Sequence, residues 1–224
     1  MNVSKDSIVY FVNMYKSQLN QDKWVQSILG DKRDGFFVEL GASDGIELSN
    51  TFFFEKTLGW NGICIEPNPN FHTALRENRN CHICTSCASS ADDLIVEFAV
   101  CGHASGAVST AGPFTCSNSI IKVPTQTLRT IFKTYSAPPV IDYMSLDVEG
   151  HELEVLAGFP FNEFVVQCIT VEHNEPHTGP AMRTSIREIL ESNGYCFIKG
   201  NDDVHNWRHG PIDDFYVHSS VKLP

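Results

Sequence analysis

The feature of this sequence that most constrains its fold is a strand–turn–helix–strand unit between residues 36 and 66. Residues 36–40 form an apolar strand, and Gly41 and Gly45 bracket the turn that follows it. A second apolar strand, at 62–66, ends in the acid Glu66. Glycines at the tip of a first strand let the backbone approach a ligand, and an acid at the tip of the second can accept hydrogen bonds from ribose hydroxyls. The unit therefore predicts a nucleoside-cofactor site at the carboxyl edge of a parallel sheet.

The spacing of the glycines decides between cofactors. A dinucleotide fingerprint requires Gly-x-Gly-x-x-Gly, and Ser43 stands where its second glycine would be. The chain also has no Gly-Lys-Ser or Gly-Lys-Thr phosphate loop. The Glu-x-Gly-x-x-x-Gly pattern of residues 39–45, with Glu66 on the next strand, instead resembles the first two motifs of the S-adenosylmethionine-dependent methyltransferases. A turn whose glycines serve no ligand is the alternative, and Glu66 makes it the weaker one.

The composition narrows the classes of function. The 224 residues suit one domain, and the formal net charge of -11 repels phosphate backbones, so we expect neither nucleic acid nor anionic lipid as a partner. The chain has no run of about 18 apolar residues. Its N-terminus lacks the basic and apolar regions of a secretory signal. We therefore expect no membrane span and a cytoplasmic location, in which the eight cysteines are reduced.

Three of the cysteines, Cys81, Cys84 and Cys87, form a Cys-x-x-Cys-x-x-Cys pattern that invites a zinc interpretation. No second ligand pair at zinc-ribbon spacing accompanies them. A buried strand over residues 81–88 explains the pattern better, because a free cysteine packs as a small hydrophobe.

Strands alternate with helices along most of the chain, which predicts an α/β fold with a mostly parallel sheet. The first 34 residues form a predicted helical segment in which Ile8, Phe11 and Val12 share one face, and a single domain follows over residues 35–224. Two strands around a loop rich in glycine, serine and threonine predict a small β insertion. The predicted elements after the first unit are helices at 71–78, 127–135, 152–157 and 185–192, and strands at 81–88, 94–100, 119–123, 141–146, 164–171, 195–198 and 215–218.

Acids and a histidine follow the strands predicted at 141–146 and 164–171, at the same carboxyl edge as the glycine turn. Asp147 and Glu149 follow the first strand, and His173 follows the second. Charged groups that crowd at one edge shift each other's pKa, which is typical of reaction sites. A carboxylate or a histidine there can take a proton from an acceptor hydroxyl. We therefore predict Asp147, Glu149 and His173 as catalytic residues.

Two alternatives stay open for these residues. His173 could be a structural histidine whose ring nitrogens are satisfied by neighbours. Asp147, Glu149 and His173, together with Glu172, could instead bind a magnesium- or calcium-like ion. Because the sequence does not show whether the side chains converge, no metal ligand is assigned.

Longer stretches of the chain resemble the FkbM-type methyltransferases, a branch of the S-adenosylmethionine-dependent superfamily. The resemblance runs through residues 17–25, 35–45, 58–69 and 142–156 and ends at 213–218. It implies a Rossmann-like class I methyltransferase fold, with a seven-stranded, mostly parallel sheet and helices on both faces, and S-adenosyl-L-methionine as the cofactor. It also implies cofactor contacts at Gln21, Glu39, Gly41, Ala42, Asp44, Asn50, Glu66 and Asn68.

The same resemblance implies transfer to a hydroxyl oxygen, and we predict an O-methyltransferase that acts on a hydroxyl of a small molecule or sugar. The loop around residues 101–116 departs from the usual pattern, so the acceptor does not carry over, and the oligomeric state, a homodimer included, stays open. One rival function is an RNA ribose methyltransferase, but no lysine lies between Lys133 and Lys199 to supply the Lys-Asp-Lys-Glu tetrad that many such enzymes share. A second rival, a non-catalytic binding module, is disfavoured by the intact glycine turn and Asp147.

Overall fold

A computed structural model describes residues 14–110, 116, 119–201 and 212–223. Ile8, Phe11 and Val12 lie outside the described residues. The prediction that a helical segment ends and a domain begins at residue 34 therefore stays a prediction.

The described residues form two sheets with helices between their strands. The helices are α1 (Gln21–Leu29), α2 (Phe52–Leu58), α3 (His72–Asn78), α4 (Leu128–Thr134), α5 (Glu152–Ala157), α6 (Glu175–Thr178) and α7 (Ala181–Ser192). The strands are β1 (Phe36–Leu40), β2 (Asn61–Ile65), β3 (His82–Cys84), β4 (Cys87–Ala88), β5 (Ile95–Ala99), β6 (Gly106–Ala107), β7 (Ile120–Gln126), β8 (Val140–Leu146), β9 (Val165–Glu172), β10 (Tyr195–Gly200) and β11 (Asp213–His218).

The large sheet has the seven-stranded order β3-β2-β1-β8-β9-β11-β10. Its strands from β3 to β9 pair in parallel, whereas β11 is antiparallel to both β9 and β10. The chain moves outward from β1 to β3 and later returns to β8 on the other side of β1, so the strand order reverses between β1 and β8. Ligands of open α/β sheets bind outside the carboxyl ends of the strands at such a switch point. The predicted architecture, a mostly parallel seven-stranded sheet, is confirmed.

Helices cover both faces of this sheet because successive side chains of a strand point to opposite faces. On one face, Val38 and Met144 pack in a cluster with residues of α4, α5 and α7. On the other face, Phe37 and Tyr143 pack with residues of α1, α2 and α3, and Trp24 joins α1 to that cluster. Each large apolar side chain that is fully buried in this way contributes about 1.5–3 kcal/mol relative to exposure.

The small sheet, ordered β4-β7-β5-β6, is the predicted β insertion. Its strands β5 and β7 are antiparallel, and Cys87, Phe98 and Val123 form its core. The single strand predicted at 81–88 is wrong, because β3 pairs with β2 in the large sheet whereas β4 pairs with β7 in the small one. The chain thus leaves one sheet for the other between Cys84 and Cys87.

The prediction that all the cysteines are reduced is also wrong. Cys101 and Cys116 form a disulfide, and their Cα atoms lie 5.4 Å apart, within the range that a disulfide spans. The prediction rested on the lack of a secretory signal, which carries no information about which thiols meet in the fold. The free cysteines are Cys64, Cys81, Cys84, Cys87, Cys168 and Cys196. None of the helices in the described part of the chain has the length and apolarity that a membrane span requires.

Candidate active site

The carboxyl ends of β1, β2, β8 and β9 open into one cleft, which the small sheet covers. Most of the predicted site residues line this cleft: Gln21, Glu39, Gly41, Ala42, Asn50, Glu66, Asp147 and Glu149. Asp44, Asn68 and His173 are not among the lining residues. The sheet therefore brings together residues that lie far apart in the sequence.

The turn after β1 presses the backbone against the tip of β8. Gly41 has a φ of 77°, and a Cβ atom there would lie 2.0 Å from the carbonyl oxygen of Asp147. Gly45 has a φ of 81°, and its Cβ would lie 2.6 Å from Cγ of Arg79. Side chains rarely adopt this backbone conformation, and neither position has room for one. Both glycines are needed for the turn, and Gly41 also borders the cleft.

The carboxylate of Glu39 is buried and holds the loop of residues 46–51 against β1. It accepts hydrogen bonds from the hydroxyls of Ser49 and Thr51 and, at 2.6 Å, from the backbone N–H of Asn50. Arg79 donates a further bond at 3.0 Å. These four donors match the acceptor capacity of a carboxylate, so Glu39 ties the loop that carries Asn50 to β1.

Arg79 is a residue of this site that the sequence did not indicate. Its buried guanidinium pairs with the carboxylates of Glu39 and Glu55, at 3.0 and 2.7 Å. It also donates to the hydroxyls of Ser49 and Thr51. No local pattern marks this residue, since the two acids that it pairs with lie 40 and 24 positions away in the sequence.

Asn50 offers an unused hydrogen-bond acceptor to the cleft. Its amide nitrogen donates to the hydroxyl of Ser145 at 2.7 Å. Its Oδ1 atom is buried and has no partner among the described residues. An unpaired buried acceptor costs about 1–3 kcal/mol, so a ligand that brings a donor to this point would be stabilised. A cationic amino-acid group such as that of S-adenosylmethionine fits this requirement.

Glu66 follows β2 and lines one wall of the cleft. Its two carboxylate oxygens accept the backbone N–H groups of Ser43 and Asn68, each at 2.8 Å. Burial raises the pKa of Glu66 to about 7, although these two hydrogen bonds oppose the shift. A carboxylate oxygen has more than one lone pair, so Glu66 retains capacity for hydroxyl donors of a ligand.

Asp44 and Asn68 support the loops around the cleft. Asp44 accepts the backbone N–H groups of Ile46 and Glu47, both at 2.8 Å, and so shapes the end of the glycine turn. The amide of Asn68 donates to the hydroxyl of Ser105 at 3.1 Å. Asn68 thereby ties the tip of β2 to the loop that covers the cleft.

This covering loop, part of the segment at 101–116 that departs from the usual pattern, contributes to the cleft. Gly102, His103 and Ser105 are lining residues, and Nδ1 of His103 lies 3.1 Å from the hydroxyl of Ser43. The loop begins at Cys101, one end of the disulfide. The disulfide therefore anchors one end of the loop whose His103 and Ser105 contact Ser43 and Asn68.

Three carboxylates converge at the other side of the cleft, where β8 and β9 end. Asp147, Glu149 and Glu172 all line it, and each offers an oxygen within 4.8 Å of the others. Burial, reinforced by the charge of Glu152, raises the pKa of Asp147 to about 7. Burial and the charge of Asp147 raise the pKa of Glu149 to about 8. The cleft thus has a wall of acids that hold protons more strongly than free carboxyl groups do.

His173 follows β9, which ends at Glu172, and it does not line the cleft. The His173 ring is buried, accepts the backbone N–H of Glu175 at 3.1 Å, and has Nε2 at 3.5 Å from Asp214. Burial raises the pKa of Asp214, but its contacts with His173 and Arg183 outweigh burial and hold that pKa below its usual value. A catalytic role for His173 stays a prediction.

The structure is similar to solved methyltransferases. A putative rRNA-methylase from Clostridium thermocellum has a TM-score of 0.54 at 9% identity and covers 93% of this chain and 99% of its own. A precorrin-6y C5,15-methyltransferase from Geobacter metallireducens has a TM-score of 0.48 at 12% identity, over 92% of this chain and 91% of its own. Fibrillarin from Aeropyrum pernix, solved with natively bound S-adenosyl-L-methionine, has a TM-score of 0.47 at 12% identity. The match covers 92% of this chain and 76% of the fibrillarin chain. None of the curated protein sequences compared with this chain matches it.

The strand order, the cleft at its switch point and the likeness to the Clostridium protein define a class I, Rossmann-like methyltransferase fold. The model of the methyltransferase FkbM domain matches residues 39–197, from the end of β1 to β10. This chain belongs to the FkbM methyltransferase family and is an S-adenosylmethionine-dependent methyltransferase. The predicted family and cofactor are confirmed.

Proposed function

We propose that this methyltransferase transfers the methyl group to a hydroxyl oxygen of a small molecule or sugar. The observation that carries the proposal is the wall of carboxylates, with Asp147 and Glu149 beside the glycine turn. S-adenosylmethionine, when bound, supplies an electrophilic methyl group, so the protein needs mainly to align the acceptor and to receive its proton. Carboxylates with a raised pKa, next to the tip of β8, suit that second task.

The cleft also suggests how the cofactor is held. We assign the ribose hydroxyls to Glu66, whose partners are backbone N–H groups that leave acceptor capacity free. The unpaired Oδ1 of Asn50 is assigned to the methionine end, together with Gln21, which also lines the cleft. Gly41 and Ala42 provide the close backbone approach. Glu39, Asp44 and Asn68 act through the loops that they hold.

For the reaction itself, we propose Asp147 or Glu149 as the proton acceptor, because both line the cleft. His173 is a positioning residue in this proposal, since its ring contacts Asp214 and the N–H of Glu175. The acidic wall and the net charge of -11 favour a neutral acceptor over a nucleic acid. The free thiols favour a cytoplasmic location, and the Cys101–Cys116 bridge is the observation that weighs against it.

The proposal is tested with Asp147→Asn, which keeps the shape of the side chain and removes its charge. After an acceptor has been found by screening hydroxylated metabolites and sugars, we expect turnover to fall by about 10²–10⁴-fold, the usual cost of losing a general base. Affinity for S-adenosylhomocysteine should be retained. Asp93→Asn, at an exposed turn, is the matched control. If Asp147→Asn and Glu149→Gln both turn over at the wild-type rate, neither residue takes the proton.

A further inference from the structure

We propose that Asp147, Glu149 and Glu172 bind a divalent cation of the magnesium, manganese or calcium type at the acceptor end of the cleft. This inference deepens the proposed function, since the cation would lie where the acceptor hydroxyl is placed. The sequence left a metal open but included His173, whose Nε2 lies 3.5 Å from Asp214 and which is not part of the converging group.

The spacing of the three carboxylates suits one shared ion. Their oxygens lie within 4.8 Å of one another. Hard cations bind oxygen at about 2.0–2.6 Å, so two oxygens on the same ion lie at most about 5 Å apart. The three side chains come from two neighbouring strand tips, which fixes their relative positions. They are half-buried and border the cleft, so that an ion can reach them from solvent.

A second observation points to a ligand at the same place. Glu152 is 1% exposed, and its Oε1 accepts the N–H groups of Val148 and Gly150, within the turn that carries Asp147 and Glu149. Its Oε2 has no hydrogen-bond partner in the part of the chain that the structure describes. Buried carboxylates are normally paired with a cation or a donor. The charge of Glu152 acts on Asp147, Glu149 and Glu172, so this carboxylate lies beside the cluster, and its Oε2 lacks that compensation.

The charges around the cluster support the same conclusion. Oε2 of Glu149 and Oε2 of Glu172 are also buried without hydrogen-bond partners among the described residues. Asp213, which pairs with Glu172 across β11 and β9, adds a further acid. The basic residues of this edge, Arg183 and Arg187, bind Asp214 on the other face of β11. A divalent cation would offset negative charge that these arginines do not reach.

The donor set identifies the class of ion. All the available ligands are carboxylate oxygens, which suit magnesium, calcium and manganese, whereas zinc and copper favour imidazole and thiolate. A cation here would orient the acceptor hydroxyl and ease the loss of its proton. The O–H bond breaks, the proton passes to a carboxylate oxygen that is not on the cation, and the oxygen forms its bond to the methyl carbon. The C–S bond of the cofactor breaks, and its electron pair stays on sulfur.

The test is a titration of the purified full-length chain with Mn²⁺, with free Mn²⁺ followed by electron paramagnetic resonance and no cofactor or acceptor present. We expect one Mn²⁺ per wild-type chain, displaced by Mg²⁺. Binding by Glu172→Gln should be at least about tenfold weaker, because ligand charge sets cation affinity. Glu188→Gln, at an exposed position of α7, should bind like the wild type. Circular dichroism checks the fold, and Glu149→Gln replaces Glu172→Gln if the latter does not fold.

Absence of stoichiometric Mn²⁺ binding by the wild type overturns the inference, and so does equal binding by the wild type and the folded variant. Because the titration needs no substrate, its outcome is independent of the acceptor. Turnover that is insensitive to Asp147→Asn in a chain that binds Mn²⁺ would contradict the proposed proton acceptor and leave the metal site standing. Methyl transfer that Asp147→Asn abolishes, in a chain that does not bind Mn²⁺, would contradict the metal site and leave the proposed proton acceptor standing.

Discussion

Glu39 and Glu66 end adjacent parallel strands, yet their carboxylates have different partners. Glu39 is occupied by the loop of residues 46–51 and by Arg79, all of them protein groups. Glu66 is bound by two backbone N–H groups and lines the cleft. The sequence placed Glu66 at the cofactor because it follows the second strand of the first unit, and the family resemblance implied a contact at Glu39. Glu39 has four donors, which fill its acceptor capacity, whereas Glu66 has two and can still accept the hydroxyls of a ribose.

His173 shows the same difference between a position in the sequence and a direction in space. We expect His173→Ala to lower turnover less than Asp147→Asn does, because the ring contacts Asp214 and the N–H of Glu175 and does not line the cleft. The loss should appear mainly in stability, at about 1–3 kcal/mol for leaving buried partners unsatisfied. Denaturant unfolding and kcat on the folded variant measure the two effects. An unchanged stability with a loss of turnover equal to that of Asp147→Asn would make His173 the base.

At the scale of elements, the position of the loop of residues 46–51 depends on Arg79. This residue follows α3 and links Glu39 on β1, Glu55 on α2 and the loop of residues 46–51. An arginine with this many fixed partners cannot be replaced by lysine without loss of its planar fork. The position of this loop, and of Asn50 within it, therefore depends on one side chain that lies outside the loop.

We expect Arg79→Met to destabilise the fold by about 3–5 kcal/mol, since removing one partner leaves buried carboxylates uncompensated. The affinity for S-adenosylhomocysteine should also fall, because the Asn50 loop is released. Arg76→Met, three residues earlier on the exposed side of α3, is the control and should unfold like the wild type. Denaturant unfolding of the two variants and the wild type measures these free energies of unfolding. Equal unfolding free energies for both would show that the buried network is not needed.

Elements whose hydrogen bonds and packing follow a local pattern were predictable. The helix at 152–157 and the strand at 141–146 match α5 and β8 closely, because their apolar spacing sets which face is buried. The strand at 81–88 failed because the partner of β4 lies on β7, more than 30 residues later. The helix predicted at 185–192 begins at Ala181 instead, where Pro180 precedes its first turn.

For the whole molecule, the alternation of strands and helices and the family resemblance were enough for the fold and the cofactor. They also placed Asp147, Glu149 and Glu66 at one edge. They could not show that Glu172 joins Asp147 and Glu149, that His173 does not line the cleft, or that the small sheet covers it. Each of these depends on the direction of a side chain or on contacts between distant segments. The Cys101–Cys116 bridge was missed for the same reason.

The central claim is that the cleft at the tips of β1, β2 and β8 holds S-adenosylmethionine, with Glu66 on the ribose. Calorimetric titration with S-adenosylhomocysteine tests it most directly, on the wild type, Glu66→Gln and the exposed control Glu77→Gln. We expect one site per chain in the wild type and in Glu77→Gln. Hydrogen bonds to a charged group contribute about 1.5–3 kcal/mol, so Glu66→Gln should bind roughly 10- to 100-fold more weakly. A folded Glu66→Gln variant with wild-type affinity, or a wild-type chain that does not bind, would contradict the account.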